Sequence, residues 1–367
     1  MEQWKEYKLG DISNMKYGKL PPKQNNGSYP IWSGYRNVGF ATTYNCRKGT
    51  IIVVARGVGG TGDVKISSED CFLTNLSIAV ELDNKICEPL YFYYKYKLSN
   101  LRYLDTGSAQ SQITIDDLKR LSLKLPPLEE QKRITEILSS IDYKIELNRR
   151  INDNLEQQAQ ALFDHYFDSG SIYLEDSIMG CLTDIAVYLN GLVMQKFPAT
   201  DIERSLPVLK IKELGQRKCD DCSDRCSDSI DADYIIDNED IIFSWSGTLM
   251  VDVWCGGKCG LNQHLFKVTP LKNYPRWFVY YWTNRHLKKF KLIAKDKAVT
   301  MGHIRRGDLE NAEVAIPTNL NMLEINARIN PLFQSIIDRR LEITKLENIR
   351  DALLPKLMSG ELTINEI

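Results

Sequence analysis

The 367-residue chain contains no apolar run approaching the ~18 residues that mark a membrane-crossing helix. It opens Met1-Glu-Gln-Trp-Lys-Glu6, without the apolar stretch of a signal peptide. Histidine is scarce, with four residues scattered at 165, 264, 286 and 303. No HExxH pair, GxSxG elbow, P-loop or zinc-deaminase pattern accompanies them. Nor is there the Asn/Asp-Pro-Pro-Tyr/Phe tetrapeptide that amino-methyltransferases place over a flipped base. With no set of side chains suited to bond-making, the expectation is a chain that is not itself an enzyme. An excess of one charge is also missing: 47 basic residues face 48 acidic ones, a net −1. Taken alone, that argues mildly against a nucleic-acid binder. Nine cysteines, an odd number without secretory features, lead us to expect reduced thiols and a cytoplasmic chain with no membrane contact.

The even charge hides a division. Residues 1–125 hold 17 bases and 12 acids, whereas 126–168 hold five and nine. Residues 219–240 carry nine acids against Arg225 alone. Residues 272–306 carry ten bases against Asp296, interleaved with Trp277, Phe278, Tyr280, Tyr281, Trp282 and Phe290. Such a stretch can face phosphates in an otherwise neutral chain. The same pattern also fits a solvated helix with a buried aromatic stripe, and both readings stand at this point.

What is present in abundance is repetition. Leu9-Gly-Asp-Ile-Ser13 returns as Leu182-Thr-Asp-Ile-Ala186, and Tyr29-Pro-Ile31 as Leu206-Pro-Val208. Cys71-Phe-Leu-Thr-Asn75 returns as Cys259-Gly-Leu-Asn-Gln263, and the segment from Ile113 to Pro126 matches that from Ile304 to Pro317. A period of about 190 residues is far longer than that of any solenoid repeat. It predicts two similar α+β globular domains, 1–125 and 169–318, related by duplication and by an approximate twofold. In the first, strands are expected at 50–55, 64–67 and 76–81 and a helix at 90–101, in a largely antiparallel arrangement. The second repeats that order with an insertion around 216–234.

A long helix is expected after each domain, at 126–168 and 319–360, leaving a short tail at 361–367. Pro126-Pro127 signals the first helix start. Positions 134, 138, 141, 145, 148, 152, 155, 159, 162 and 166 then step by alternating four and three, a coiled-coil seam with Asn148 and Asn152 inside it. The second helix repeats the pattern more loosely through Ile325, Ile329, Leu332, Ile336, Ile343, Leu346, Ile349, Leu353 and Leu357, interrupted at Arg339 or Arg340. At 1.5 Å per residue each helix spans roughly 60 Å. The two seams are expected to pair with each other, antiparallel; a helix of another protein is the alternative partner.

Two motifs invite chemistry and receive a plainer reading. Gly57-Val-Gly-Gly-Thr-Gly62 matches GxGxxG in form, but a strand rather than a helix follows, so a hairpin is expected. Its tip, beside Arg56, could approach a DNA groove. Cys219, Cys222 and Cys226, with Cys255 and Cys259, have zinc-like spacing. Three of them lie among aspartates and Cys259 matches the lone Cys71, so free thiols are expected and no metal.

The remaining candidates are polar groups at loop tips. They are Arg56, Thr74, Asn75, Gln110 and Gln112 in the first copy. In the second they are Ser244, Trp245, Ser246, Lys258, Asn262, Gln263, His264, Thr300, His303 and Arg305. Asn and Gln pair bidentately with adenine and Arg with guanine, so this inventory suits groove reading, although any one of them can equally serve as a turn or cap.

Domain, long helix, domain, long helix, with Leu125-Pro-Pro-Leu-Glu-Glu-Gln-Lys-Arg-Ile134 at one junction, resembles the specificity subunit of type I restriction-modification systems. Phe243-Ser-Trp-Ser-Gly247, Leu261-Asn-Gln-His264 and the closing Leu353-Leu-Pro-Lys-Leu-Met-Ser-Gly-Glu-Leu362 add to the likeness, which covers essentially the whole chain. The second junction, Pro317-Thr-Asn-Leu-Asn-Met322, departs from the pattern. The resemblance implies two target-recognition domains, each reading half of a bipartite double-stranded DNA target, with a two-helix coil as the ruler between half-sites. It further implies two methyltransferase subunits that carry S-adenosylmethionine and methylate adenine, restriction subunits that cleave, and no cofactor on this chain. Two other classes remain open here, a DNA methyltransferase in its own right and a scaffold that binds only protein.

Overall fold

The computed structural model describes residues 4–364 apart from 23–25, 35, 58–59, 98, 106–110, 169–170, 172–176, 203, 272 and 297–303. The chain divides into two compact units, residues 1–143 with 347–367, and residues 144–346. Each unit joins one globular domain to segments of the two long helices, Leu128–Phe167 and Asn319–Ser359.

In the first unit the main sheet orders Ser13–Tyr17, Ser77–Leu82, Ile51–Val54 and Val64–Ile66, all antiparallel. Ile51–Val54 is buried throughout, which is why it reads as an unbroken apolar run rather than an alternating one. Alongside, Tyr29–Ser33 pairs antiparallel with Arg36–Ala41 and parallel with Phe72–Leu73. The helix Pro89–Lys97 buries Tyr91, Phe92, Tyr94 and Tyr96 in the core.

The second unit repeats this scheme register by register. Ala186–Asn190, Leu265–Pro270, Ile241–Ser244 and Met250–Val253 stand in the same order, and Ser205–Leu209 again has one antiparallel and one parallel neighbour, Arg225–Ser227 and Cys259–Leu261. Tyr17 opposes Ile78 where Asn190 opposes Phe266. The Gly18 amide donates to the Ser77 carbonyl at 3.0 Å, and the Gly191 amide to that of Leu265 at 3.0 Å. These two glycines are needed for lack of space: a Cβ on Gly18 would lie 2.2 Å from the Thr74 carbonyl oxygen, and one on Gly191 2.2 Å from that of Asn262. The helix Ile211–Gln216 leads into the stretch 216–234 where an insertion is expected, and the strand Arg225–Ser227 lies within that stretch.

Within each unit the long helices run antiparallel, as their partners show. In the first unit Ile134 and Leu138 share a core with Leu354 and Leu357, and Arg350 donates to Asp142 at 2.8 Å. In the second, Asn148 donates to Glu342 at 2.8 Å, Arg340 to Glu156 at 2.7 Å, and Phe163 shares a core with Phe333 and Ile337. All ten expected seam positions of the first helix are buried or half-buried. The buried Asn148 spends its amide on Glu342, the kind of polar pairing that fixes register at some cost in stability.

The second helix corrects one expectation. Ile349 is 39% exposed, and Arg350 turns inward beside it to reach Asp142. At Arg340, which is buried and pairs with both Asp252 and Glu156, a charged residue occupies a place the heptad reserves for an apolar one. Burial works against the Arg340 charge, and the Asp252 and Glu156 carboxylates more than reverse that. Breaking such a buried pair typically costs about 3–5 kcal/mol, because the surviving charge has no partner. Asp142 plays the matching part in the first unit. Burial opposes its charge, yet Lys97, Arg350 and the Tyr94 hydroxyl hold its carboxyl below the usual range.

Both helix starts have local causes. Gln131, from the Pro-Pro-Leu-Glu-Glu-Gln run, is fully buried; its amide group donates to the Ile86 and Pro126 carbonyls, each at 2.9 Å, and its carbonyl accepts the Glu88 amide at 2.9 Å. At the second junction, which lacks that run, the Met322 amide donates to the Thr318 carbonyl at 2.8 Å, and the helix begins at Asn319.

The glycine-rich segment forms the end of the hairpin between Ile51–Val54 and Val64–Ile66. Its described residues 60–62 are buried, and a Cβ on Gly62 would lie 2.4 Å from the Arg102 nitrogen. Residues 60–62 therefore pack into their own domain, while Gly57 is half-buried with nothing within 4 Å of a Cβ placed on it and 58–59 lie outside the described residues. Cys226 and Cys259 lie in separate buried clusters, and Cys222 is exposed. Among the described residues no three His, Cys, Asp or Glu side chains gather where a metal could sit, and no helix is long and apolar enough to cross a membrane.

Candidate nucleic-acid interface

In each domain the central strands finish in turns that lie side by side, and most of the expected residues are there. The first domain centres on the turn at 74–76. On one side the Lys19 amide donates to the Leu73 carbonyl at 2.9 Å. On the other the Arg56 amide donates to the Leu76 carbonyl at 3.1 Å, and Arg56 forms a bridge with Gln112. Lys19, Asn75, Arg56 and Gln112 thus form one row. Lys19 and Arg56 are exposed, Asn75 and Gln112 half-buried. Thr74 is buried; its hydroxyl lies 3.4 Å from Ser33 Oγ and accepts the Leu76 amide at 3.5 Å. It shapes the turn and presents nothing outward. Gln110 lies outside the described residues.

The second domain builds the equivalent row from different side chains. Register places Ser246 where the first domain has Arg56, and Gln263 where it has Asn75. Ser244 and Asn262 are buried: the Ser244 hydroxyl donates to the Ser246 carbonyl at 3.2 Å, and Asn262 Oδ1 accepts the His264 amide at 3.3 Å. Like Thr74 they hold turns. Ser246, itself buried, has its hydroxyl 3.0 Å from His264 Nδ1. Trp245 and His264 are half-buried with ring centroids 6.1 Å apart, and Gln263 reaches the other side of that imidazole. Arg305 is exposed where the next helix begins, its amide donating to Asp308 at 2.8 Å. Lys258 is exposed but does not join the group; it lies in the turn where the Gly257 amide meets Asn238, at the opposite end of the strand Cys259–Leu261. Thr300 and His303 lie outside the described residues.

Three contributors escaped the sequence reading. The Trp245 indole N–H donates to Asn190 Oδ1 at 2.9 Å, and Tyr188 and Asn190, on one face of the strand Ala186–Asn190, help wall a cavity of about 680 Å³ with Tyr234, Trp245, Phe266 and Arg306. The signal was available in the alternation of that strand, which sends residues two apart to the same side. Lys19 was missed because it lies one residue beyond a glycine that only the backbone contact explains.

The basic, aromatic stretch separates into two functions. Trp277, Phe278, Tyr281, Trp282 and Phe290 are core residues, carried by the helices Arg276–Arg285 and Leu287–Asp296. Arg276 pairs with Glu239 and Arg285 with Asp168. Lys288, Lys289, Lys291 and Lys295 are exposed. Arg, Lys, Gln, Asn and His on adjacent turns supply the donors and acceptors that base edges and phosphates require; the Ser246–His264 hydroxyl–imidazole pair among them has Gln263, not a carboxylate, at its other ring nitrogen.

Comparison with known proteins agrees with this geometry. Residues 1–157 and 181–350 match the family described as type I restriction modification DNA specificity domain. The MjaIX type I restriction enzyme specificity subunit of Methanocaldococcus jannaschii is 27% identical over 395 residues, covering 99% of this chain and 89% of that protein. The HindI specificity subunit of Haemophilus influenzae is 52% identical over 56 residues, 15% of this chain and 12% of that one. The crystal structure of a type I restriction-modification S subunit from M. genitalium shares the fold, with a TM-score of 0.66 at 17% identity over 96% of each chain.

Proposed function

Since the chain belongs to the type I restriction-modification DNA specificity family, we propose that it selects the DNA sequence on which a partner methyltransferase and restriction subunits act, and is itself non-catalytic. One observation carries this reading: two domains with the same strand register place unlike side chains at equivalent turns, Asn75 against Gln263, and an exposed Arg56 where the second domain has the buried Ser246. A shared scaffold with different chemistry at its tips is what reading two different half-sites requires.

The residues proposed to meet DNA are Arg56, Asn75 and Gln112, joined by Lys19, in the first domain, and Trp245, Gln263, His264 and Arg305 in the second. Gln110, Thr300 and His303 are proposed on sequence position alone. Thr74, Ser244, Ser246 and Asn262 set the turns from within. The domain limits 1–125 and 169–318, with the two helices as the spacer that sets the unread gap, complete the proposal. Two methyltransferase subunits carrying S-adenosylmethionine, and the restriction subunits, are the partners proposed for it.

Ultraviolet crosslinking with labelled S-adenosylmethionine tests the division of labour. The purified chain should take up no label, while the assembled complex should be labelled on the methyltransferase and bind duplex DNA with an affinity that falls as salt rises. Label on this chain would restore the methyltransferase reading. An assembled complex that binds no duplex at any salt would leave a protein scaffold.

A further inference from the structure

We propose that the helix Leu287–Asp296 is a phosphate clamp peculiar to the second domain, in which Lys288, Lys289, Lys291 and Lys295 grip the DNA backbone regardless of sequence. This rests on the DNA-reading function proposed above and assigns residues outside the turns that would read bases.

The helix has one committed face. Phe290 stacks on Phe243 with ring centroids 5.8 Å apart, and Ala294 is buried in the same core. The four lysines are exposed around Leu292, itself 63% exposed. None of them pairs with a carboxylate among the described residues, whereas the arginines of the preceding helix do. Lys288 and Lys291 stand three apart, Lys291 and Lys295 four apart, spacings at which like charges weaken a helix. A helix that gathers positive charge against its own stability, with no described acid of its own chain to balance it, fits a polyanionic partner.

The surrounding chain says which polyanion. Phe290 sits on the strand Ile241–Ser244, which runs directly into Trp245, so the lysine helix lies against the strand that delivers the candidate reading turn. The acidic stretch precedes the opposite end of that strand: Asp237 and Asp240 close the turn before Ile241, where the Asp237 amide donates to Asp240 at 2.9 Å. The lysine helix thus packs on Phe243, two residues before Trp245, while the acidic stretch enters the same strand from its other end, and a duplex is attracted to the lysine-bearing surface rather than to the acids. Among the described residues of the first domain, the helix Pro89–Lys97 is followed by the short turn Arg102–Leu104 and then by the strand bridge at Gln112, with no second helix like this one. The clamp therefore belongs to one half-site.

The test uses the full chain assembled with its methyltransferase subunits. DNA affinity is followed by fluorescence anisotropy between about 50 and 200 mM salt on three duplexes: the methylated motif, a one-base mismatch of it, and an unrelated sequence. In the variant K288Q/K289Q/K291Q/K295Q the slope of log affinity against log salt should become shallower by about 0.9 for each phosphate no longer neutralised, or ~3.6 for all four. The change should be the same on all three duplexes, with the ratio of motif to mismatch preserved. K212Q/K218Q, beside the acidic stretch, should leave the slope as it was and controls for a general effect of removing charge. A wild-type complex that recognises its motif, with a quadruple variant of unchanged slope, would overturn the clamp and leave the DNA-reading function standing. A wild type that binds no duplex would remove both. Lysine-dependent binding to phosphatidylserine vesicles with an unchanged DNA slope would assign the helix to a membrane surface and also overturn the clamp.

Discussion

Exchanging residues 169–318 for the corresponding stretch of a relative with a different target is expected to change one half of the methylated motif and leave the other half as it was. The expectation follows from cores that do not depend on each other. The second domain buries Phe243, Trp277, Phe278 and Phe290 among its own residues, and the first buries Ile51, Val53, Tyr91 and Phe92 among its own. The size of the effect follows from mismatch costs. Each wrong base pair typically costs about 1–3 kcal/mol, so a foreign half-site of a few pairs lowers affinity by orders of magnitude. Long-read sequencing of methylated adenine in a strain carrying the hybrid reads the result. A hybrid that altered both halves would mean that the two domains do not read independently.

Lengthening both long helices by one heptad should leave both halves of the motif intact and widen the unread gap between them. Seven residues add about 10 Å at 1.5 Å per residue, or roughly three base pairs at 3.4 Å each. A whole heptad in each helix keeps the seam in phase, so pairs such as Asn148 with Glu342 and Arg340 with Glu156 can re-form. An insertion of four residues shifts the phase and locally unwinds the coil, and should weaken the assembly instead. The same adenine sequencing distinguishes the outcomes, and an unchanged gap would refute the helices as spacer.

Much of this architecture was legible because duplication and periodicity are redundant signals. Ten seam positions agree with one another, so Asn148 and Asn152 could not mislead the reading of the first helix. The second helix was read less well because two of its arginines turn inward. Arg340 is buried where the heptad calls for an apolar residue, and its partner Asp252 lies 88 positions away on a strand. Local spacing does not encode that pairing, nor the separate pairing of Arg350 with Asp142 beside the exposed Ile349. The candidate interface shows the same limit. Polar residues at loop tips were easy to find, but sequence does not say which of them spend their polar atoms on the turn itself. Thr74, Ser244 and Asn262 do, and Arg56 and Arg305 do not. Asn190 was overlooked because its part is defined by the Trp245 indole, 55 residues on. The aromatic stretch at 277–290 read equally as core or as interface until the burial of Trp277 and Phe278 decided it.

Sequencing the adenine methylome of the host with and without this gene bears most directly on the proposal that the chain chooses the site while other subunits do the chemistry. With the methyltransferase subunits still expressed, removing this chain should abolish methylation at one two-part motif and at no other. Persistence of every methylated motif in the deletion strain would contradict the account.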